Sequence, residues 1–255
     1  MSWGGYRKHP VLVLGDKEPL PLPAENSPRE GPVVYASINS VPRLIDAYRK
    51  GLFPWHHVIG DLWTWWSPDP RAVFLPNEVT VSARQRSRLR NSGLRFSMDT
   101  AFHQVVSECA APRRNRSETW ITPQVVEIYG KAHRAGMAHS VEAWRGDELV
   151  GGLYGVAIGS MFSGESMFHE ESNASKFAFW VLVAQLRKWG FKLIDAQYGT
   201  EHLLSLGARM LSREVFLRFV SANNGESSRI GRWSLDVNLE GSAWGTDHRH
   251  KPSRG

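Results

Sequence analysis

The stretch FKLIDAQ, residues 191–197, sets two polar side chains in an otherwise apolar run. Read as a strand, its side chains alternate, so Leu193, Asp195 and Gln197 share one face and Lys192, Ile194 and Ala196 the other. A carboxylate inside a sheet is costly to bury unless something pairs with it. Asp195 two residues before Gln197 therefore reads either as an oriented polar pair at a site or as a pair satisfying backbone groups near a strand end. Glu165, in FSGESMF at 162–168, is a second carboxylate in apolar surroundings. Gly164 before it marks a bulge or a close approach by another chain or ligand. Phe162, Met167 and Phe168 around it suit an adaptable apolar pocket. The alternative is a Glu165 that simply faces solvent.

A second kind of chemistry is suggested by charge. Between residues 84 and 116 lie eight arginines (Arg84, Arg86, Arg88, Arg90, Arg95, Arg113, Arg114 and Arg116) against two acids, Asp99 and Glu108. That excess equals the net charge of the whole chain, +6. Arginine offers phosphate a planar fork where lysine offers a point charge. Four of the eleven tryptophans cluster at Trp55, Trp63, Trp65 and Trp66, held between Pro54, Pro68 and Pro70. Such a cluster serves a core or stacks on nucleobases. Metal chemistry finds no support: His169-Glu170-Glu171 lacks the second histidine of a helical zinc motif, and the other histidines show no ligand spacing. No G-x-S-x-G stands at a strand-to-helix turn.

The elements that must position these groups follow from spacing. Ser40 caps and Pro42 opens a helix that Gly51 stops. A second helix covers 80–91, where Arg84/Arg88 and Arg86/Arg90 repel at i,i+4 unless they sit in solvent or meet an anion. Further helices are expected over Asp99 to Ala110 and Thr122 to Ala135. From Ala138 the pattern changes to an antiparallel meander, AHSVEAWR, ELVGGLYGVAI and SMFSGESMF, separated by turn residues at 145–147 and 158–160. A helix over Ala174 to Trp189, the strand carrying Asp195, a short helix at 203–206 and a last helix over Glu214 to Asn223 follow.

With 255 residues, 42% hydrophobic and 22% charged, the chain can bury a sizeable core without staples. One cysteine, Cys109, makes no intrachain disulfide and suits a reducing compartment. No apolar run reaches a membrane span, and the N-terminus lacks the pattern of a signal peptide. The expected class is α+β: a small N-terminal α/β domain over 1–68, a larger domain over 69–223 and a flexible tail over 224–255. The order strand, strand, strand, helix, strand matches the core of GNAT-type acyltransferases. CoA-dependent members of that fold carry a glycine-rich pyrophosphate loop after the fourth strand. Here the junction reads ESMFHEESNASK, with Glu170 and Glu171 where a pyrophosphate would lie, which argues against CoA as donor.

AYRKGLFPW (47–55), WWSPDPRAVF (65–74), TWIT (119–122), HSVEAWRGDELVGGLYGVAIG (139–159), FSGESMF (162–168), NASK (173–176), LIDAQ (193–197) and SLGA (205–208) together resemble the leucyl/phenylalanyl-tRNA–protein transferase family. Several separate motifs in one order over about residues 40–220 make the resemblance far more specific than any single pattern. It implies a GNAT-like C-terminal domain that moves Leu or Phe (also Met) from aminoacyl-tRNA to a protein's N-terminal Arg or Lys, marking that protein for degradation. By position it implies Asp195, Gln197 and Glu165 as catalytic residues, and Trp55 and Trp120 as holders of the donor adenosine. It implies Leu153, Phe162, Met167 and Ile194 as the aminoacyl side-chain pocket, and Arg84, Arg86, Arg88 and Arg90 as the tRNA contact. No metal or cofactor is implied and a cytoplasmic setting is expected; a monomer is expected because no heptad or long apolar edge is visible. Where the family usually shows a Gly-Gly-Asp-Leu-Ser-like stretch, this chain reads ASINSVP (36–42).

The implied reaction is aminolysis of an activated ester. Gln197 is too weak a base to take a proton outright and is expected to accept a hydrogen bond from the attacking amine. Asp195 is expected to orient it and to offset the developing ammonium charge. Three other readings compete: a nucleic-acid-binding module without catalysis, a CoA-dependent acetyltransferase, and a cell-wall peptide ligase using aminoacyl-tRNA. The first leaves Asp195, Gln197 and Glu165 unexplained. The second lacks its pyrophosphate loop, and the third needs two such domains.

Overall fold

A computed structural model describes residues 12–60, 62–112 and 119–239. The expected contributions of Arg113, Arg114 and Arg116, and of the tail beyond 239, lie outside those residues. In chain order the elements are β1 (Val13–Leu14), β2 (Pro32–Ser37), α1 (Val41–Arg49), β3 (Phe53–Ile59), β4 (Leu62–Trp66), β5 (Arg71–Phe74), α2 (Ala83–Arg90), β6 (Arg95–Met98), α3 (Phe102–Ala110) and α4 (Pro123–Arg134). They continue with β7 (Ala138–Arg145), β8 (Glu148–Ile158), β9 (Met161–His169), α5 (Ala174–Lys188), β10 (Leu193–Gln197), α6 (Glu201–Ser205), β11 (Arg209–Leu211) and α7 (Arg213–Asn223). A 3-10 turn, Pro76–Glu78, follows β5.

The helix ends follow local chemistry. The Ser40 hydroxyl accepts from the Arg43 N–H and Pro42 stands in the first turn of α1. Ser82 and Gln85 form a reciprocal capping box on α2. Two sheets result, a four-stranded one ordered β1-β2-β4-β3 and a seven-stranded one ordered β11-β5-β10-β9-β8-β7-β6. The alternation along β8 sends Leu153 and Ala157 into a cluster with α5, whose Phe177, Val181 and Ala184 are all buried. Tyr154, Val156 and Ile158 go the other way, into a cluster shared with α3, α4, α1 and the small sheet. The small sheet and the large one are thus welded by one core. Trp63, Trp65 and Trp66 belong to it, which settles the core role for those three.

The mixed α/β architecture agrees with the expected class, but two sequence expectations are corrected. Residues 224–239 are not a flexible tail. Trp233 is 2% exposed, stacks on His139 at 3.7 Å, and its backbone N–H donates to the buried Asp99 carboxylate. The Asp236 and Val237 N–H groups both donate to Gln185 on α5. Trp233 docks the segment together with Leu235, Val237 and Leu239, which pack on the same cluster. The simple alternation in β10 is the second correction, and it shapes the site.

Candidate active site

β10 pairs in parallel with β9 (Leu193 opposite Met161, Ile194 opposite Phe162, Asp195 opposite Ser163) and antiparallel with β5. Each strand then carries an irregularity. Between β10 and β5 the register passes from Asp195–Val73 to Gln197–Ala72, so Ala196 has no opposite residue. Gln197 takes a left-handed φ of 58°. Between β9 and β8 it passes from Gly155–Gly164 to Tyr154–Ser166, so Glu165 is the extra residue. Bulges bend a strand and re-aim a side chain. Here they turn Gln197 and Glu165 toward each other, and Gln197 Nε2 donates to Glu165 Oε1 at 3.2 Å. Gln197 therefore does not share a face with Leu193 as strict alternation requires.

Asp195 is 1% exposed, and both of its oxygens are engaged. Arg71 Nε and Nη2 donate to Oδ1 and Oδ2, each at 2.7 Å, and the Gln197 backbone N–H donates to Oδ1 at 3.1 Å. Arg71 on β5 is itself 1% exposed, donates to the Gly51 carbonyl and lies between the Phe53 and Phe216 rings. Glu165 is compensated differently. Tyr129 Oη donates to its Oε2 at 2.9 Å, and the Tyr129 and Tyr48 hydroxyls meet at 2.6 Å. Burial pushes the Glu165 carboxyl up to about 7, against the lowering effect of the tyrosine hydroxyls.

Asp195, Glu165 and Gln197 line a cavity of about 590 Å3. Leu153, Phe162, Met167 and Ile194 line it as well, together with Phe74, Phe179 and Leu182. Phe162 fits because its neighbour is Gly155: a Cβ there would stand 2.6 Å from the ring and 2.2 Å from the Ser163 carbonyl oxygen. Trp55 and Trp120 line the same cavity. Trp55 packs on Tyr198 with ring centres 4.6 Å apart. The arrangement combines apolar side chains and two tryptophans with an amide and two carboxyl groups around one cavity. The arginines of α2 are not part of the cavity lining. Arg84, Arg88 and Arg90 are exposed, whereas Arg86 is half-buried and donates to the Val81 carbonyl.

The sequence profile of leucyl/phenylalanyl-tRNA protein transferase matches residues 73–221, and that of the same enzymes' N-terminal domain matches 40–69. The chain belongs to the leucyl/phenylalanyl-tRNA–protein transferase family. It is 51% identical to the transferase of Shewanella woodyi over 78% of its own length and 84% of that protein. It is 44% identical to that of Solidesulfovibrio magneticus over 89% and 91%. Its overlap with the structure of L-PGS from Bacillus licheniformis is loose, with a TM-score of 0.35, 13% identity and coverage of 68% of this chain and 57% of that one. For this transferase family member, the fold brings Asp195, Gln197, Glu165, the four apolar pocket residues and both tryptophans to one cavity. Sequence reasoning missed Arg71, Tyr48 and Tyr129. Only a buried carboxylate in need of a partner pointed toward the first.

Proposed function

We infer that this chain transfers a leucyl or phenylalanyl group from aminoacyl-tRNA to the α-amine of a protein's N-terminal Arg or Lys, an addition that marks the protein for degradation. The observation that carries the reading is the apolar cavity ending at the Gln197–Glu165 contact, in a chain of this family. An aminoacyl ester is already a good electrophile. Holding the amine and the ester together can supply about 7–11 kcal/mol. An α-amine has a pKa of about 7.7–8.0, so a useful fraction is neutral near pH 7.

The donor side chain would enter between Leu153, Phe162, Met167 and Ile194, with the terminal adenosine against Trp55 and Trp120. Asp195, Gln197 and Glu165 would serve the reaction at the polar end. Asp195 is already matched by Arg71, so its part is to fix the Gln197 backbone and not to offset an ammonium. The α2 arginines would take acceptor-stem phosphates. A GNAT-type core is supported by the parallel β9–β10 pair, with residues of both strands lining the cavity. No helix among the described residues is long and apolar enough to cross a membrane. The reading needs no cofactor and fits a cytoplasmic monomer.

The test is incubation with leucyl-tRNA and a peptide beginning with Arg. The expected product is the peptide heavier by one leucyl residue, with none formed from the N-acetylated peptide. Unchanged peptide mass would refute the reading.

A further inference from the structure

A chain of hydrogen bonds runs from the cavity into the core. Gln197 reaches Glu165 Oε1, Tyr129 reaches Glu165 Oε2, and Tyr48 meets Tyr129. The four residues come from β10, β9, α4 and α1, so the chain joins the large sheet to the helix that follows β2. Both tyrosines are fully buried. The two carboxylates of the site are thus matched by different partners. Asp195 is held by the buried Arg71 guanidinium through two hydrogen bonds. The hydrogen bonds to Glu165 come from a phenol and an amide, which need no counter-charge.

We propose that Glu165 takes the proton released by the attacking amine, and that the Tyr129–Tyr48 hydroxyl pair is the positioning device that holds it for that task. The proposal rests on the reading of the cavity as the site of aminoacyl transfer. In the step, the lone pair of the neutral amine forms a C–N bond at the ester carbonyl, and the carbonyl electrons move to oxygen. One N–H proton passes to Glu165. When the tetrahedral intermediate collapses, the bond from carbon to the ribose oxygen breaks, and the Glu165 carboxyl returns the proton to that oxygen. Amide and ribose hydroxyl leave, and Glu165 is again a carboxylate. Gln197 commits its N–H to Glu165, so its carbonyl oxygen is the end available to the amine.

The ionisable groups acting on Glu165 are Tyr48 from α1, Tyr129 from α4, Asp195 from β10 and Arg71 from β5. Tyr154 from β8 acts on both tyrosines. The tyrosine hydroxyls and Arg71 lower the Glu165 pKa, while burial and Asp195 raise it. Removing the Tyr129 hydroxyl should therefore raise it further.

Single-turnover transfer from phenylalanyl-tRNA to an Arg-starting peptide, followed from about pH 5.5 to 9, tests this. Glu165→Gln, Tyr129→Phe and Gln197→Ala are compared with the wild type, with melting and tRNA binding measured on the same samples. Glu165→Gln should lose about 10²-fold or more at every pH and still bind tRNA. Tyr129→Phe should approach the wild-type rate at high pH, with its acid limb moved up by about half a unit to one unit. It also serves as the test if Glu165→Gln fails to fold. A Glu165→Gln rate within threefold of wild type, or a Tyr129→Phe profile that is a scaled copy with an unmoved limb, would overturn the proposal. If Gln197→Ala loses transfer while Glu165→Gln does not, only this proposal fails. If neither loses transfer, the reading of the site fails with it.

Discussion

The Arg71 guanidinium grips the Asp195 carboxylate through two hydrogen bonds of 2.7 Å, and both side chains are 1% exposed. Asp195 in turn receives the backbone N–H of Gln197, which stands in the left-handed region where side chains other than Gly, Asn and Asp are uncommon. The ion pair thus pins a strained residue whose side chain faces the cavity. Removing one partner of a buried pair costs about 3–5 kcal/mol because the other charge is left unmatched. Arg71→Met and Asp195→Asn should each melt well below wild type by differential scanning calorimetry. The double variant Arg71→Met/Asp195→Leu should recover much of that loss, yet transfer should stay low because nothing holds the Gln197 backbone. Single variants that melt like the wild type would refute the pinning role.

Glu165 makes stability depend on pH in a definite direction. Its folded pKa is about 7, above the ordinary value of 4.5. The folded state therefore binds this proton more tightly than the unfolded state does. That contribution is complete below the unfolded pKa and is lost as pH rises through about 7. Glu165→Gln removes the titration. It should raise Tm at pH 8 relative to wild type by a few degrees and change it much less at pH 5. An equal shift at both pH values would show that Glu165 does not titrate in this way.

Much of this was legible in the sequence. Ser40, Pro42 and the turn residues between the hairpin strands mark the helix and strand limits because caps and turns are local chemistry. The apolar pocket around FSGESMF was visible for the same reason. Four features were not. Arg71 reads as an ordinary arginine in WWSPDPRAVF, and its partner lies 124 residues away. Gly164 signalled the irregularity at Glu165, but the bulge at Ala196 leaves no periodic trace, so strict alternation put Gln197 on the wrong face. The strands β3 to β5 lie in a block whose prolines and adjacent tryptophans conceal any alternation, and Trp233 sits in a polar, turn-rich run that conceals its docking.

The arginines of α2 predict how the donor binds. Arg84, Arg88 and Arg90 are exposed, and no salt bridge to a carboxylate is made by any of them among the described residues. Replacing the three with alanine should weaken tRNA binding with little effect on melting. Each lost phosphate contact should flatten the plot of log affinity against log salt by about 0.7–0.9. Filter binding across a salt series measures both. An unchanged slope would make α2 a solvated face.

The cavity wall predicts donor choice. Phe162, Leu153 and Ile194 are almost fully buried and cannot easily give way, while Met167 is half-buried and adaptable. Leucyl and phenylalanyl groups, unbranched at Cβ, should be transferred well, and methionyl less well. Valyl and isoleucyl groups carry a methyl close to the reacting carbonyl and should be poor. Pockets discriminate a methylene by about 1–3 kcal/mol, so the expected preference for leucyl over isoleucyl is about 10- to 200-fold in kcat/KM. Parity between the two donors would contradict the pocket assignment.

If the bulged contact between β9 and β10 is where the aminoacyl group changes hands, removing the Gln197 side chain must slow transfer without weakening tRNA binding. Rapid-quench transfer of labelled phenylalanine from phenylalanyl-tRNA to an Arg-starting peptide tests it most directly, with wild type and Gln197→Ala at equal folded concentration. The expected result is fast transfer by the wild type, a loss of about 10²-fold in the variant, and the same tRNA affinity in both. Equal transfer rates at equal tRNA occupancy would contradict it.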